Sequence, residues 1–282
     1  MKILLIGASG FIGSAVRKLL DESQHQVILT SRRMRPGFIR LDAADPLRTR
    51  DTLKEIAPDV VLNFSWNTTG DDYLESRQNL DSLTWNLSLF KILNEISLRK
   101  IISLGSSAEY ESRPVLQGEN VLAQSGDSLY ADSKIQAFKL LTKMSENSEH
   151  SFTWARIFQA YGEGQSNQRL IPSLLRYVRS QEIFYLRQPN TYLDWINVLD
   201  IAKSLAFLIE NDSPLQVDIG TGKPTSNQQL CSLFSKHLGL RFEITTDALT
   251  QQSFRLANTE SSLYKESPPQ IDLESYISGL QK

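Results

Sequence analysis

The stretch LLIGASGFIGSAV at residues 4–16 constrains this chain more than any other. Apolar Ile3-Leu4-Leu5-Ile6 reads as a buried strand that stops at Gly7. Glycines recur at Gly10 and Gly13, and apolar residues go on at helical spacing through Phe11, Val16, Leu19 and Leu20. A strand entering a helix through a glycine turn gathers backbone N–H groups and the positive end of the helix dipole at one point, which suits a diphosphate. Gly7 allows the tight turn, Gly10 the close approach of phosphate, and Gly13 close packing of helix on strand. The spacing is G-x-x-G-x-x-G, and taken alone it also fits a glycine-rich turn that holds no nucleotide.

The strand–helix alternation continues. Strands are predicted at 27–30, 38–41, 59–64 and 101–104. A helix through Leu53, Ile56 and Ala57 ends before Pro58, another covers 73–98 with Asn79 and Asn86 set within it, and a third covers 130–144. That rhythm predicts an α/β fold, a Rossmann-type doubly wound parallel sheet with a smaller C-terminal substrate domain. Residues 1–157 are expected to form the dinucleotide-binding domain, with some later segments returning to it, and 158–282 mainly the substrate-binding domain. Helices are predicted at 171–178 and 228–238 and a short strand at 242–244.

The 282 residues are 40% hydrophobic with a formal net charge of −2, which gives no electrostatic footprint for nucleic acid or an anionic membrane. No 18-residue apolar run is present, so no membrane span is expected. The single cysteine, Cys231, excludes an internal disulfide and falls on an apolar face with Leu230 and Phe234. His25, His150 and His237 lie outside every motif, so no metal is expected. MKILLIG lacks the sustained apolar region of a signal peptide, and the expected compartment is the cytoplasm.

Two positions bear on cofactor and chemistry. After the second strand come Ser31, Arg32 and Arg33, where an NAD-binding fold would place an acid on the ribose hydroxyls. A hydroxyl and a guanidinium there suit a 2′-phosphate, hence NADP, with NAD as the alternative. Further on, Tyr130 and Lys134 in LYADSKIQAFKLL share one helix face by their i, i+4 spacing. A phenol with a pKa near 10 is a poor acid–base group until a nearby ammonium favours the phenolate. Ser106-Ser107, at the end of the fifth strand, can hydrogen-bond a reacting oxygen, which completes a set for carbonyl–alcohol interconversion.

GASGFIG, Asp42, Asn79, GSSAEY and YADSK, in that order, resemble the extended short-chain dehydrogenase/reductase family, in its nucleotide-sugar branch of epimerases, dehydratases and ketoreductases. The resemblance continues through RIFQAYG at 156–162, LDWINVLD at 193–200 and DIGTGKP at 218–224. It implies that Tyr130 is the general acid/base, Lys134 its ribose-binding partner and Ser107 the hydroxyl that orients the substrate oxygen. Gly7, Ser9, Gly10, Phe11, Ile12 and Gly13 would hold the diphosphate. Asp42 and Ala43 would flank the adenine, while Phe64, Ser65 and Trp66 would line the nicotinamide side. Ser107, Glu109 and Gln159 would face the substrate, with Arg187 a source of positive charge. Three departures narrow the reaction. Ala108-Glu109 follows Ser107 where dehydratases carry Asp-Glu, which argues against dehydration, and Gln159 and Leu193 replace the usual Asn and Arg. The expectation is NADP-dependent reduction of a nucleotide-linked keto sugar, a 4-keto-6-deoxy sugar above all. The alternatives are a nucleotide-sugar 4-epimerase and a non-catalytic NADP-binding sensor or scaffold. The helices at 73–98 and 130–144 offer faces for a homodimer.

Overall fold

Strands buried on both faces read as unbroken apolar runs, and such runs form the centre of this molecule. The computed structural model describes residues 1–42, 45–70, 72–111, 122–245 and 253–280. The chain opens with β1 (Lys2–Ile6), α1 (Phe11–Leu20), β2 (Gln26–Ser31), β3 (Ile39–Arg40), α2 (Pro46–Ile56) and β4 (Val60–Asn63). Next come α3 (Gln78–Leu93), β5 (Lys100–Ser106), a 3₁₀ turn (Ser107–Glu109), α4 (Leu129–Ser145), β6 (Ser151–Ile157) and β7 (Gln159–Tyr161). The remainder is α5 (Leu170–Ser180), β8 (Ile183–Leu186), β9 (Thr191–Asn197), α6 (Val198–Glu210), β10 (Gln216–Ile219), β11 (Pro224–Ser226), α7 (Asn227–Leu238), β12 (Arg241–Ile244), β13 (Ser253–Arg255), α8 (Ser262–Glu266) and α9 (Leu273–Gly279).

Among the described residues the main sheet has seven parallel strands in the order β10-β6-β5-β4-β1-β2-β3, the Rossmann-type arrangement expected. Side chains alternate across β1: Ile3 and Leu5 pack towards α1 and α6, while Leu4 packs with residues of α3 and α4. A further core joins α5, α7 and α9 around Tyr161, Trp195, Leu230, Cys231 and Phe234. Burial pushes the Cys231 thiol up to about 12, so it packs as a small apolar group. β10 and α6, though late in sequence, belong to the large sheet and its helix layer.

Strand order reverses at β1, which has β2 on one side and β4 on the other, and ligands of such sheets bind in the crevice opened there. The register sets Ile6 beside Asn63 and Asn63 beside Ser103, so Gly7, Phe64 and the end of β5 emerge along one edge. Two predicted elements are shorter than expected. The helix predicted at 73–98 is α3 alone: the Asn79 amide donates to the Tyr73 and Ser76 carbonyls at 2.7 and 2.9 Å, closing a turn ahead of it. The strand predicted at 38–41 keeps only Ile39–Arg40, exposed at the sheet edge.

At Gly13, a Cβ would come within 2.8 Å of the Ala8 Cα and 2.9 Å of the Gly7 carbonyl oxygen, so α1 can lie on β1 only with glycine there. At Gly10 the nearest atom is 3.5 Å away. Gly13→Ala is therefore expected to cost about 1–3 kcal/mol in chemical denaturation, through overpacking. Gly10→Ala should leave the unfolding midpoint nearly unchanged.

Candidate active site

The crevice holds a cleft of about 480 Å³, within the size of small-molecule sites. Gly10, Phe11, Ile12 and Gly13 form one wall, at the start of α1. Gly7 turns the chain with φ of +82°, and a Cβ there would press on the Phe64 backbone at 3.1 Å. The next wall is Phe64, Ser65 and Trp66, in the loop after β4. Side chains of α3 pin that loop. Asn63 donates to Asn86 Oδ1 at 2.6 Å, Asn86 to the Ser65 carbonyl at 2.9 Å, and Trp66 Nε1 to Asn79 Oδ1 at 3.0 Å. The two asparagines read from sequence within the helical stretch are thus supports of the cleft.

Ser106, Tyr130 and Lys134 meet at the head of the cleft. Ser128 caps α4 by accepting the Ala131 N–H at 3.2 Å, which fixes the first turn carrying Tyr130. The Tyr130 ring is edge-on to Trp66 and Tyr73, with centroids 6.3 and 5.5 Å away. Burial pushes its phenol above the ordinary tyrosine value, opposed by a hydrogen bond with Ser106 and by the charge of Arg169. Lys134 Nζ donates to the Leu104 carbonyl at 2.7 Å and sits 3.9 Å from the Trp66 ring centroid. Burial lowers its pKa to about 7, with Glu109 opposing. This corrects the sequence expectation that the lysine lowers the phenol's pKa. Burial drives both groups towards their neutral forms.

Several expected site residues stand elsewhere. Ser107 opens the 3₁₀ turn outside the cleft lining, and Ser106, one residue earlier, is the hydroxyl beside Tyr130. Glu109 is fully buried and does not face substrate space: it accepts hydrogen bonds from the Ser106 N–H, Trp154 Nε1 and Arg156 Nε. Arg187 is exposed at the end of β8, away from the cleft. Asp42 pairs with Arg40 and is not part of the lining. Ala43 lies outside the described residues. Ser31 is buried at the end of β2 and accepts the Arg33 N–H at 3.3 Å, while Arg32 is exposed beside it. Ser9 is exposed in the glycine turn, and Gln159 lines the cleft.

The sequence reading missed Arg169. It precedes α5, and no motif marks it beyond a lone arginine before the apolar run LIPSLL. Its guanidinium lies 4.3 Å from the Tyr73 ring centroid and donates to the Tyr73 hydroxyl at 2.8 Å, with both residues lining the cleft. Among the described residues no carboxylate pairs with it.

Sheet order, glycine turn and cleft together define a Rossmann-type fold with its ligand crevice at the point where strand order reverses. The chain belongs to the NAD dependent epimerase/dehydratase family, whose sequence profile matches residues 3–220. It is 40% identical over 73 residues to a human protein named Epimerase family protein SDR39U1, a match that spans 24% of this chain and 25% of that one. A UDP-glucuronic acid 4-epimerase from Bacillus cereus, solved with UDP-glucuronic acid and NAD, has a similar structure, with TM-score 0.81 and 19% identity over 99% of this chain and 100% of that one. RMD from Pseudomonas aeruginosa, complexed with NADPH, has TM-score 0.79 and 18% identity, covering 98% of this chain and 96% of that one.

The depressed lysine gives a signed expectation for stability. A lysine with a folded pKa of about 7 and an unfolded value near 10.5 binds fewer protons when folded, so its contribution to stability rises with pH through that window and is flat below it. The stability difference between wild type and Lys134→Met, from urea denaturation at pH 6, 8 and 9.5, should therefore shift in favour of wild type as pH rises.

Proposed function

We propose that the protein catalyses NADP-dependent reduction of a nucleotide-linked keto sugar, a 4-keto-6-deoxy sugar fitting the reading best. The observation that carries this is the meeting of Ser106, Tyr130 and Lys134 opposite the glycine turn, at the crevice where strand order reverses. A bound nicotinamide would supply the hydride. Gly10 leaves room for its diphosphate against the α1 N-terminus. Phe64, Ser65 and Trp66 line its reactive end, and Lys134 can turn to its ribose. Ser31 and Arg32 provide a hydroxyl and a guanidinium for a 2′-phosphate where an NAD site keeps an acid.

Ser106 orients the carbonyl oxygen of the substrate, and Tyr130 delivers a proton to it. The raised phenol pKa favours this direction, because reduction starts from protonated tyrosine and oxidation from the phenolate. Gln159, Arg169 and Tyr73 face the substrate, with Arg169 supplying positive charge for its diphosphate in place of Arg187 or Leu193. A second reading, a 4-epimerase that oxidises and re-reduces one carbon, draws support from the near full-length likeness to the UDP-glucuronic acid 4-epimerase. The cytoplasm is the proposed compartment, and α3 and α4 offer faces on which two copies could pair.

Two experiments test the reading. Incubated with nucleotide-linked 4-keto sugars, the protein should consume NADPH mole for mole with product, and Tyr130→Phe should lower kcat by about 10²–10⁴-fold with cofactor affinity retained. Isomer exchange without consumption would establish the epimerase instead. In fluorescence titration NADPH should bind more tightly than NADH, and Arg32→Ala should weaken NADPH by about tenfold while sparing NADH; equal binding of the two cofactors would remove the 2′-phosphate argument.

A further inference from the structure

A carboxylate sealed beneath the cleft has no role in the reaction as described. Glu109 is 0% exposed, yet it touches the machinery on two sides. Its Oε1 accepts the Ser106 N–H at 2.7 Å, while Ser106 Oγ accepts the Ala108 N–H at 3.2 Å. This reciprocal cap fixes the backbone that presents the Ser106 hydroxyl. Both carboxylate oxygens also accept from Trp154 Nε1, at 3.1 and 2.9 Å. The ring of the same tryptophan has the Lys134 ammonium 5.6 Å from its centroid. Gly105 makes room for this arrangement, since a Cβ there would lie 2.7 Å from Glu109 Oε1 and overlap Trp154 Nε1.

We propose that Glu109 is a positioning residue of the proton-transfer site, holding the Ser106 backbone and favouring the charged form of Lys134 across Trp154, whose ring N–H it binds and whose ring Lys134 faces. The inference rests on the reading above for what Ser106 and Lys134 do, but not for its test.

The groups around Lys134 are few. From the loop after β4 comes the Trp66 ring, from β5 the Leu104 carbonyl, from α4 Tyr130, from β6 Trp154, and from the 3₁₀ turn Glu109. Glu109 is the charged group of this set, and it favours the ammonium against the burial that disfavours it. Behind Glu109, Arg156 donates from Nε to Oε2 at 2.7 Å and from Nη1 to Gln216 at 2.9 Å and to the Tyr110 hydroxyl at 3.4 Å. Tyr110 in turn donates to Asp218 at 2.7 Å. Arg156 offsets the carboxylate, so the two members of the pair should act on Lys134 with opposite signs. Simple damage to the fold would not produce such a split.

The test is trace acetylation of the ligand-free protein with acetic anhydride from pH 5.5 to 9.5. Lys134 labelling is read by mass spectrometry against exposed Lys139, and circular dichroism checks the fold. The wild-type labelling midpoint is expected near 7. Glu109→Gln should lower it by about one unit, making Lys134 about tenfold more reactive than wild type well below the midpoint. Arg156→Gln should raise it. Glu109→Asp should fall between wild type and Glu109→Gln. Because Glu109→Gln leaves Arg156 without its counter-charge, the neutral pair Glu109→Gln/Arg156→Gln is included, and its midpoint should fall below that of Arg156→Gln and above that of Glu109→Gln. An unchanged midpoint in folded Glu109→Gln, or a double-variant midpoint no lower than that of Arg156→Gln, would overturn the proposal, as would shifts of the same sign in Glu109→Gln and Arg156→Gln. The labelling uses neither cofactor nor substrate, so failure to consume NADPH would count against the reductase reading alone.

Discussion

The ion pair of Glu109 and Arg156, with side chains 0% and 1% exposed, is the interaction on which the catalytic end of the sheet depends. Taking two charges out of water is costly, and the mutual attraction repays it only when the remaining donors and acceptors are also engaged. That condition is largely met on the carboxylate side, where the Ser106 N–H, Trp154 Nε1 and Arg156 Nε converge. On the guanidinium side, Gln216 and Tyr110 take Nη1, while the ring centroids of Phe138 and Tyr110 lie 4.4 and 5.1 Å from the guanidinium carbon. Removing one partner of such a pair leaves a bare buried charge, a loss of about 3–5 kcal/mol. The pair also ties the 3₁₀ turn that follows β5 to β6, so the geometry of Ser106 is anchored to the sheet rather than to a loose connection.

This arrangement explains what local sequence could and could not say. The strands, the glycine turn and the Tyr130/Lys134 helix were legible because their signals are short-range: apolar runs, glycine spacing, an i, i+4 pair. Ser107 was chosen over Ser106 because both lie in one motif. What selects Ser106 is where β5 ends, and that is fixed by pairing with β6, where Ser106 lies opposite Ile157, and by the cap from Glu109. Glu109 was read as facing substrate because a carboxylate inside a chemical motif suggests chemistry. Its partner Arg156 is 47 positions away, and nothing local marks the pair. Arg169 escaped for the same reason, since its meaning comes from Tyr73, 96 positions earlier, across the cleft.

Burial accounts for the electrostatic surprise. Sequence reasoning paired a lysine with a tyrosine and expected Coulomb attraction to favour the phenolate. That holds where solvent or counter-charge keeps the ammonium ionised. Here Lys134 is 3% exposed and bonded to the Leu104 carbonyl, and Tyr130 lies under Trp66 and Tyr73. Desolvation disfavours the charged form of both groups at once and is the largest influence on each. Burial thus favours the neutral, protonated phenol of Tyr130, the form that can give up a proton.

The glycine turn reads differently in this light. Its geometry is generic: Gly7 turns the chain, Gly13 lets α1 touch β1, and Gly10 leaves an opening. None of that selects between NAD and NADP, or between one turnover direction and the other. On the proposed reading, selection falls to residues that other elements bring to the same edge. Ser31 ends β2, the strand next to β1, with Arg32 directly after it, and Ser106 ends β5, two strands away on the other side. A parallel sheet puts all these strand ends on one edge, so residues distant in sequence act on one ligand without any local sign that they will. The substrate side lacks that discipline. Gln159, Gln165 and Arg169, which line the same cleft, come from β7 and the segment leading into α5, outside the main sheet, so on the proposed reading the fold fixes the place of the reaction far more tightly than it fixes the substrate.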